Sequence, residues 1–258
     1  MELFILLETF GISMLIQAVF FFIAFSFQTD KVTDFSYGLS FIALLFYLLS
    51  QRSFSDLFVI VLSAMVLIWA IRLISYLFTR ILKIGKDDRF DEMRSKPLKF
   101  ASFWILQGIS VWVIMLPVIF FMTSYSEIGS RNITFMIIGL IVWLLGISIE
   151  TISDMQKFKF KNDPANKGRW VNIGLWKCSR HPNYFGEILC WWGVFVYVIP
   201  FLEGFGYLTI VGPIYITLLL LFVSGVPLIE KKYDERYKDN KEYQKYKRET
   251  NLLIPWPC

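Results

Sequence analysis

The sequence predicts an all-α protein that crosses a membrane about seven times. Three observations carry this expectation. Hydrophobic residues make up 56% of the 258 and charged residues only 18%, where a soluble domain carries about 25% charge. The apolar residues come in blocks long enough for the roughly 20 helical residues that cross a hydrocarbon core about 30 Å thick. Lys and Arg gather in alternate connections between those blocks, as a fixed orientation in a membrane requires. The composition excludes a disordered chain, a collagen-like repeat and an ordinary soluble globule.

The candidate spans run 3–27, 36–50, 56–82, 101–124, 132–153, 184–202 and 205–229. The first starts with Glu2 and Glu8 rather than a basic stretch, its apolar run is long, and no small-residue cleavage site follows Phe27. It is therefore expected to be a retained helix rather than a signal peptide. The second and sixth are short or interrupted, which fits tilted helices or helices buried by their neighbours. The third carries Arg72, Tyr76 and Arg80, the fourth holds no ionisable residue, and the fifth ends on Glu150 and Asp154. A short turn at Glu203–Gly206 makes the sixth and seventh antiparallel neighbours.

Connections 28–35, 83–100, 154–183 and 230–258 hold 22 of the 26 Lys and Arg, and the opposite set holds only Arg52 and Arg131. Positive connections stay cytoplasmic. The N-terminus is thus expected outside and the C-terminus inside, a sorting that an even number of spans would break. The net charge of +5 follows from this asymmetry and suits an anionic lipid face; it gives no reason to expect nucleic acid. The 83–100 connection and the C-terminal tail are expected to be ordered, because Phe90, Phe100, Tyr233, Tyr237, Tyr243 and Tyr246 interleave with their charges. Cys178, Cys190 and Cys258 lack metal spacing and cannot all pair, so neither a disulfide framework nor a metal site is implied. Nothing in the sequence sets the oligomeric state.

Ionisable residues inside spans are costly and mark functional sites. Arg72, Tyr76 and Arg80 follow each other at i, i+4 and i+8 on one stripe. Arg80 is placed to snorkel to the interface; Arg72, deeper, suits either an ion pair or a polar ligand group. Glu150 and Asp154 share a face at the cytoplasmic end, as ordinary carboxylates in water or as acceptors for a polar ligand. The strongest pattern is Cys178-Ser179-Arg180-His181-Pro182-Asn183-Tyr184-Phe185-Gly186-Glu187, which contains the only histidine. Pro182 fits a first helical turn, Asn183 and Glu187 then share a face, and Gly186 admits a close neighbour. Upstream, Lys161 and Arg169 flank a basic loop suited to phosphate or merely solvated. In the tail, Glu230, Tyr233 and Arg236 precede a segment that suits either an amphipathic helix on the membrane or a lid over the cytoplasmic mouth. No dinucleotide glycine fingerprint, phosphate loop, zinc-protease motif or nucleophile elbow is present.

The stretch from Gly146 to Phe195, with PANKGRW and SRHPNYFGE at its centre, resembles the steroid 5-alpha-reductase C-terminal domain family in its bacterial-type branch, DUF1295. The KRETNLLIPWPC ending, Trp69–Arg72 and a polar turn at Thr33–Gly38 fit the same pattern. The resemblance implies a single integral membrane domain over 1–258 and an NADPH-dependent reductase of an activated C=C bond in a lipophilic, enone-bearing substrate. Residues 1–130 would line the substrate cavity and residues 131–258 would hold the cofactor. By position, Glu150, Asp154, Lys161, Arg169, Arg180, His181, Asn183, Tyr184, Glu187, Glu230, Tyr233 and Arg236 would contact NADPH. The Glu–Tyr pair that polarises the carbonyl in steroid enzymes has no match; Trp69 stands in place of the tyrosine, and the nearest polar groups are Asp34, Tyr37, Arg72 and Tyr76. The resemblance thus does not name a steroid. It favours a bacterial plasma membrane. RHPxYxG also occurs in isoprenylcysteine and phospholipid methyltransferases, so an S-adenosylmethionine-dependent membrane methyltransferase is the alternative. The cations of PANKGRW favour NADPH, because S-adenosylmethionine carries no phosphate. A non-enzymatic lipid-binding scaffold would leave the Asn183/Glu187 face without a purpose.

Overall fold

The computed structural model describes residues 2–51, 56–84, 96–124 and 133–256. The helices are α1 (Glu2–Ser26), α2 (Thr33–Ser50), α3 (Leu57–Ile84), α4 (Pro97–Ser124), α5 (Ile133–Asn162), α6 (Pro182–Val198), α7 (Val211–Leu218), α8 (Val226–Arg236) and α9 (Lys241–Glu249). Short 3₁₀ turns join several of them, and no strand occurs among the described residues. Seven helical stretches are long and apolar enough to cross a membrane, the seventh running from Gly204 to Arg236. This is the architecture of an integral membrane protein. The expected order at 83–100, and Arg52 and Arg131, fall largely or wholly outside the described residues.

The expected spans are present with shifted ends. α5 continues about two and a half turns past 153, so Asp154, Lys157 and Lys161 stand on a helix. Thr33–Gly38 is the first part of α2 rather than a turn. Its polar side chains are absorbed by the backbone: the Thr33 hydroxyl donates to the Asp30 carbonyl and the Ser36 hydroxyl to the Thr33 carbonyl, both at 2.8 Å. The last span is composite rather than one helix. A 3₁₀ segment Gly204–Ile210 leads into α7, a π turn follows at Leu219–Val223, and α8 begins after Gly225. The π turn inserts an extra residue per turn, and a Cβ on Gly225 would lie 2.5 Å from the Leu220 carbonyl oxygen. Cys178 is disulfide-bonded, a pairing that the count of three left open, and Cys190 is buried and free.

The chain forms two compact units. The first comprises Met1–Ile137 and Val194–Gly212. Here a polar clamp joins α1, α2 and α4. The Gln17 amide donates to the Ser40 hydroxyl at 2.8 Å, and the Gln107 amide donates to the Gln17 carbonyl oxygen at 2.8 Å and to the Ser36 hydroxyl at 3.0 Å. The Ser13 hydroxyl reaches the Gly108 carbonyl at 2.8 Å. Helix association in lipid depends on such interhelical bonds and on small residues, since burial from hydrocarbon brings no hydrophobic gain. Pro117 leaves the Val113 carbonyl without its helical donor; a Cβ on Gly212 would lie 2.9 Å from that oxygen, so only glycine allows the backbone this close.

The second unit comprises Ile138–Gly193 and Pro213–Cys258. Its centre is the α5/α6 contact. A Cβ on Gly146 would lie 2.7 Å from the Cys190 nitrogen, one on Gly186 2.5 Å from the Glu150 nitrogen, and one on Gly193 2.6 Å from the Trp143 nitrogen. Three glycines thus bring two backbones into contact. Ile138, Ile141, Leu144, Leu145 and Ile152 are exposed along the outside of α5, the apolar surface that a spanning helix requires.

Gly186→Leu is expected to destabilise the purified protein by about 1–3 kcal/mol through overpacking against backbone that cannot rotate away. A thermal melt in detergent reads it, and an unchanged midpoint would refute the α5/α6 contact.

Candidate functional site

The second unit gathers charged side chains around one carboxylate. Glu230 stands on α8. Arg180 Nε donates to Glu230 Oε1 at 3.1 Å, and His181 Nε2 lies 2.9 Å from the same oxygen. Lys247, on α9, bonds both Asp234 oxygens at 2.5 and 2.7 Å and lies 3.5 Å from Glu230 Oε2. The histidine is almost completely buried, and its ring stacks on Tyr184 with 4° between planes. Burial lowers the His181 pKa, and the hydrogen bond and charge of Glu230 oppose this without reversing it. The imidazole is therefore neutral at pH 7 and, facing a carboxylate, carries its proton on Nε2.

A C-terminal arm closes over this centre. The Asn240 side chain caps α9 by accepting from the Tyr243 nitrogen at 3.0 Å. Beyond α9 the chain runs beside residues 177–181. Ser179 and Asn251 form a parallel bridge, and the Arg180 nitrogen donates to the Asn251 carbonyl at 2.8 Å. One guanidinium nitrogen of Arg180 donates to the Lys247 and Thr250 carbonyls, each at 2.7 Å. The Tyr246 hydroxyl donates to the Trp176 carbonyl, and the Ser179 hydroxyl to the Leu253 carbonyl, both at 2.7 Å. The aromatic face of α9, which the sequence left free to lie on lipid or to fold over the chain, is taken up by the protein itself.

That face enters an aromatic box. Trp170 meets Tyr237 and Tyr243 edge-on, ring centroids 5.4 Å apart, and Tyr233 and Tyr246 pack beside them. PANKGRW is the loop that delivers the tryptophan. Asp163 accepts from the Ala165 nitrogen to start a 3₁₀ turn, Gly168 adopts φ +83°, and the Tyr237 hydroxyl donates to the Gly168 carbonyl at 2.8 Å. Between box and carboxylate lies a cavity of about 20 Å³, lined by Lys157, Trp176, Arg180, His181, Glu230, Tyr233, Tyr243 and Tyr246 among others. It has room for one water.

Of the residues assigned to the cofactor, Arg180, His181, Tyr184, Glu230 and Tyr233 come together. Lys161 instead donates to the Arg169 carbonyl at 2.6 Å and sits 5.7 Å from the Tyr233 ring centroid. Arg169 is exposed, and so is Arg236, which lies over the Tyr237 ring. Asn183 and Glu187 are half-buried on the first two turns of α6. Glu150 and Asp154 are not at a wet helix end: both are buried, Glu150 with Cys190 Sγ 3.9 Å away. The longer α5 and the glycine contact with α6 enclose them. In the first unit, Arg80 does not merely snorkel but pairs with Asp34 at 3.0 Å. Arg72 and Tyr76 are half-buried on α3, and Tyr37 meets Phe41 edge-on, as Phe41 meets Trp69. Lys157, Trp176 and Lys247 are site residues that sequence reasoning did not select. The Tyr233/Tyr237 and Tyr243/Tyr246 spacings, i+4 and i+3, were the available signal for a buried tail face.

A family model described as "Protein of unknown function (DUF1295)" matches residues 20–250. The chain belongs to this family. No curated protein and no solved structure matches it.

Because the folded His181 resists protonation while an unfolded histidine accepts a proton near 6.5, the unfolded state binds more protons below that pH. Stability therefore falls as pH drops through 6.5 toward the folded pKa. ¹⁵N-histidine NMR, with one pair of ring-nitrogen signals from the only histidine, is expected to show a neutral Nε2–H ring at pH 7. A charged imidazolium there would refute the assignment.

Proposed function

We propose that this protein is an NADPH-dependent membrane reductase acting on the activated C=C bond of a lipophilic enone. The observation that carries the reading is the Glu230 carboxylate, which gathers Arg180, His181 and Lys247 under a closing arm. The family resemblance of the same residues adds the cofactor. NADPH, when bound, supplies the hydride.

The residues present suit such a ligand. Arg169 offers an exposed planar fork for a phosphate, with Lys161 and Arg236 in the same unit. The closed cavity of about 20 Å³ is far below the roughly 300–1,000 Å³ of a ligand site, so the arm must lift for entry. Arg180 then exchanges its two arm carbonyls for ligand oxygens. Neutral His181 holds Glu230 in place without adding charge. In the first unit, Arg72, Tyr76 and Tyr37 are the donors proposed to polarise the substrate carbonyl as enolate charge develops, with Asp34 balancing Arg80. The charge sorting of the connections supports an arm in the cytoplasm and an N-terminus outside, and the membrane proposed is a bacterial plasma membrane.

Two measurements test the reading. Detergent-purified protein is expected to bind NADPH saturably, and Arg169→Ala to weaken binding about tenfold, near 1.4 kcal/mol, with Asn183→Ala acting in the same direction. Binding of S-adenosylmethionine and not NADPH would transfer the site to methyl transfer. Arg72→Ala is expected to lower turnover of an enone substrate more than NADPH affinity; the reverse would remove Arg72 from the substrate region.

A further inference from the structure

The tail beyond α9 is tied down, yet it turns its large apolar side chains outward. The Ser179 hydroxyl donates to the Leu253 carbonyl at 2.7 Å, and the Asn251 amide donates to the Trp256 carbonyl at 3.1 Å. Leu252, Ile254 and Trp256 nevertheless remain 41%, 54% and 78% exposed, while Leu253 and Pro255 between them are half-buried. This is the alternation of an extended segment, here with its apolar side facing away from the protein. A contiguous exposed apolar surface of this kind marks a contact with protein or membrane.

The direction of the chain decides between the two. The Ser179–Asn251 bridge is parallel, so both segments run the same way through it. Beyond Ser179 the first segment enters the sixth span at Pro182. Beyond Asn251 the tail therefore heads for the same surface of the membrane. Exposed Lys177 and Arg248 stand just before the bridge on the two segments, with Glu249 exposed beside Arg248. Cations followed by aliphatic side chains and a tryptophan is the order of an interfacial anchor. Its charges meet the headgroups, and its indole sits at the boundary between water and hydrocarbon.

We propose that Leu252, Ile254 and Trp256 seat the end of the arm in the headgroup–acyl boundary of the bilayer that the spans cross. The arm then has two holds, the Glu230 centre on one side of the bridge and lipid on the other. The contact requires no cofactor. Side chains seated in this way lie about 5–10 Å into the boundary region, and lifting the arm returns them to water.

The test uses the full chain in nanodiscs of phosphatidylcholine and phosphatidylglycerol, with 5-fluorotryptophan incorporated. The ¹⁹F signal of Trp256 is the one of nine that Trp256→Phe removes. It is expected to broaden with 5-doxyl lipid and to resist a water-soluble gadolinium chelate. Broadening by the chelate alone would overturn the proposal and leave the tail in water. Resistance to both reagents would overturn it in favour of a protein cover such as a second copy of the chain. The hold on the arm is read by amide exchange across α9. With Leu252, Ile254 and Trp256 all replaced by Ser, exchange is expected to quicken about tenfold, a loss near 1.4 kcal/mol. An unchanged rate would overturn the second hold.

Discussion

Hydrocarbon offers no hydrogen bonds, so every backbone N–H and C=O at membrane depth must be satisfied by the chain. That constraint selects helices here and then governs how they meet. Burial of leucine against leucine gains little over leucine against lipid, so contact has to come from close packing and polar bonds. The two units answer it differently. In the first, Gln17, Gln107, Ser36 and Ser40 tie three helices by side-chain bonds. In the second, Gly146, Gly186 and Gly193 let α5 and α6 touch along their backbones.

Outside the apolar spans the organising group is the Glu230 carboxylate. A carboxylate mostly removed from water is tolerable only when paired and hydrogen-bonded, and Arg180, His181 and Lys247 supply this from two other parts of the chain. The same bonds bring the arm down, because Lys247 belongs to α9 and Arg180 also holds the arm's carbonyls. Removing one partner from such a cluster costs roughly 3–5 kcal/mol. The centre is therefore both the lock of the arm and the most polar enclosed point of the unit. An arm held by carbonyl–guanidinium bonds is reversible: a ligand oxygen can replace a carbonyl oxygen without leaving the arginine unpaired.

Much of this was legible in residue order. The seven apolar blocks and the start of α6 at Pro182 follow from spacing, and Arg180 and His181 stood out at the entrance to that span; Glu230 came only with the family resemblance. The misplacements share a cause. Asp154 sits where hydropathy falls, which marked a helix end in water, but hydropathy measures preference for lipid and not helix continuity; α5 runs on to Asn162. Thr33–Gly38 was too polar to suggest a helix, yet its hydroxyls bond the backbone of their own turn. The seventh span is one apolar block in sequence and three kinds of helix in space, with a close backbone approach at Gly225 just after the π turn.

By itself the sequence determined the class: an all-α membrane protein with a polar, charge-bearing entrance to its sixth span. Composition and periodicity are sums over neighbours in the chain, and those suffice to choose helices and lipid. Only the tertiary structure decided that Arg80 pairs with Asp34, that Glu150 is enclosed, and that Lys247 and Tyr243 belong to the same centre as His181. These partners lie between 40 and 67 residues apart. No local pattern encodes such contacts; they follow from which helix faces meet when the glycines close and the arm folds back.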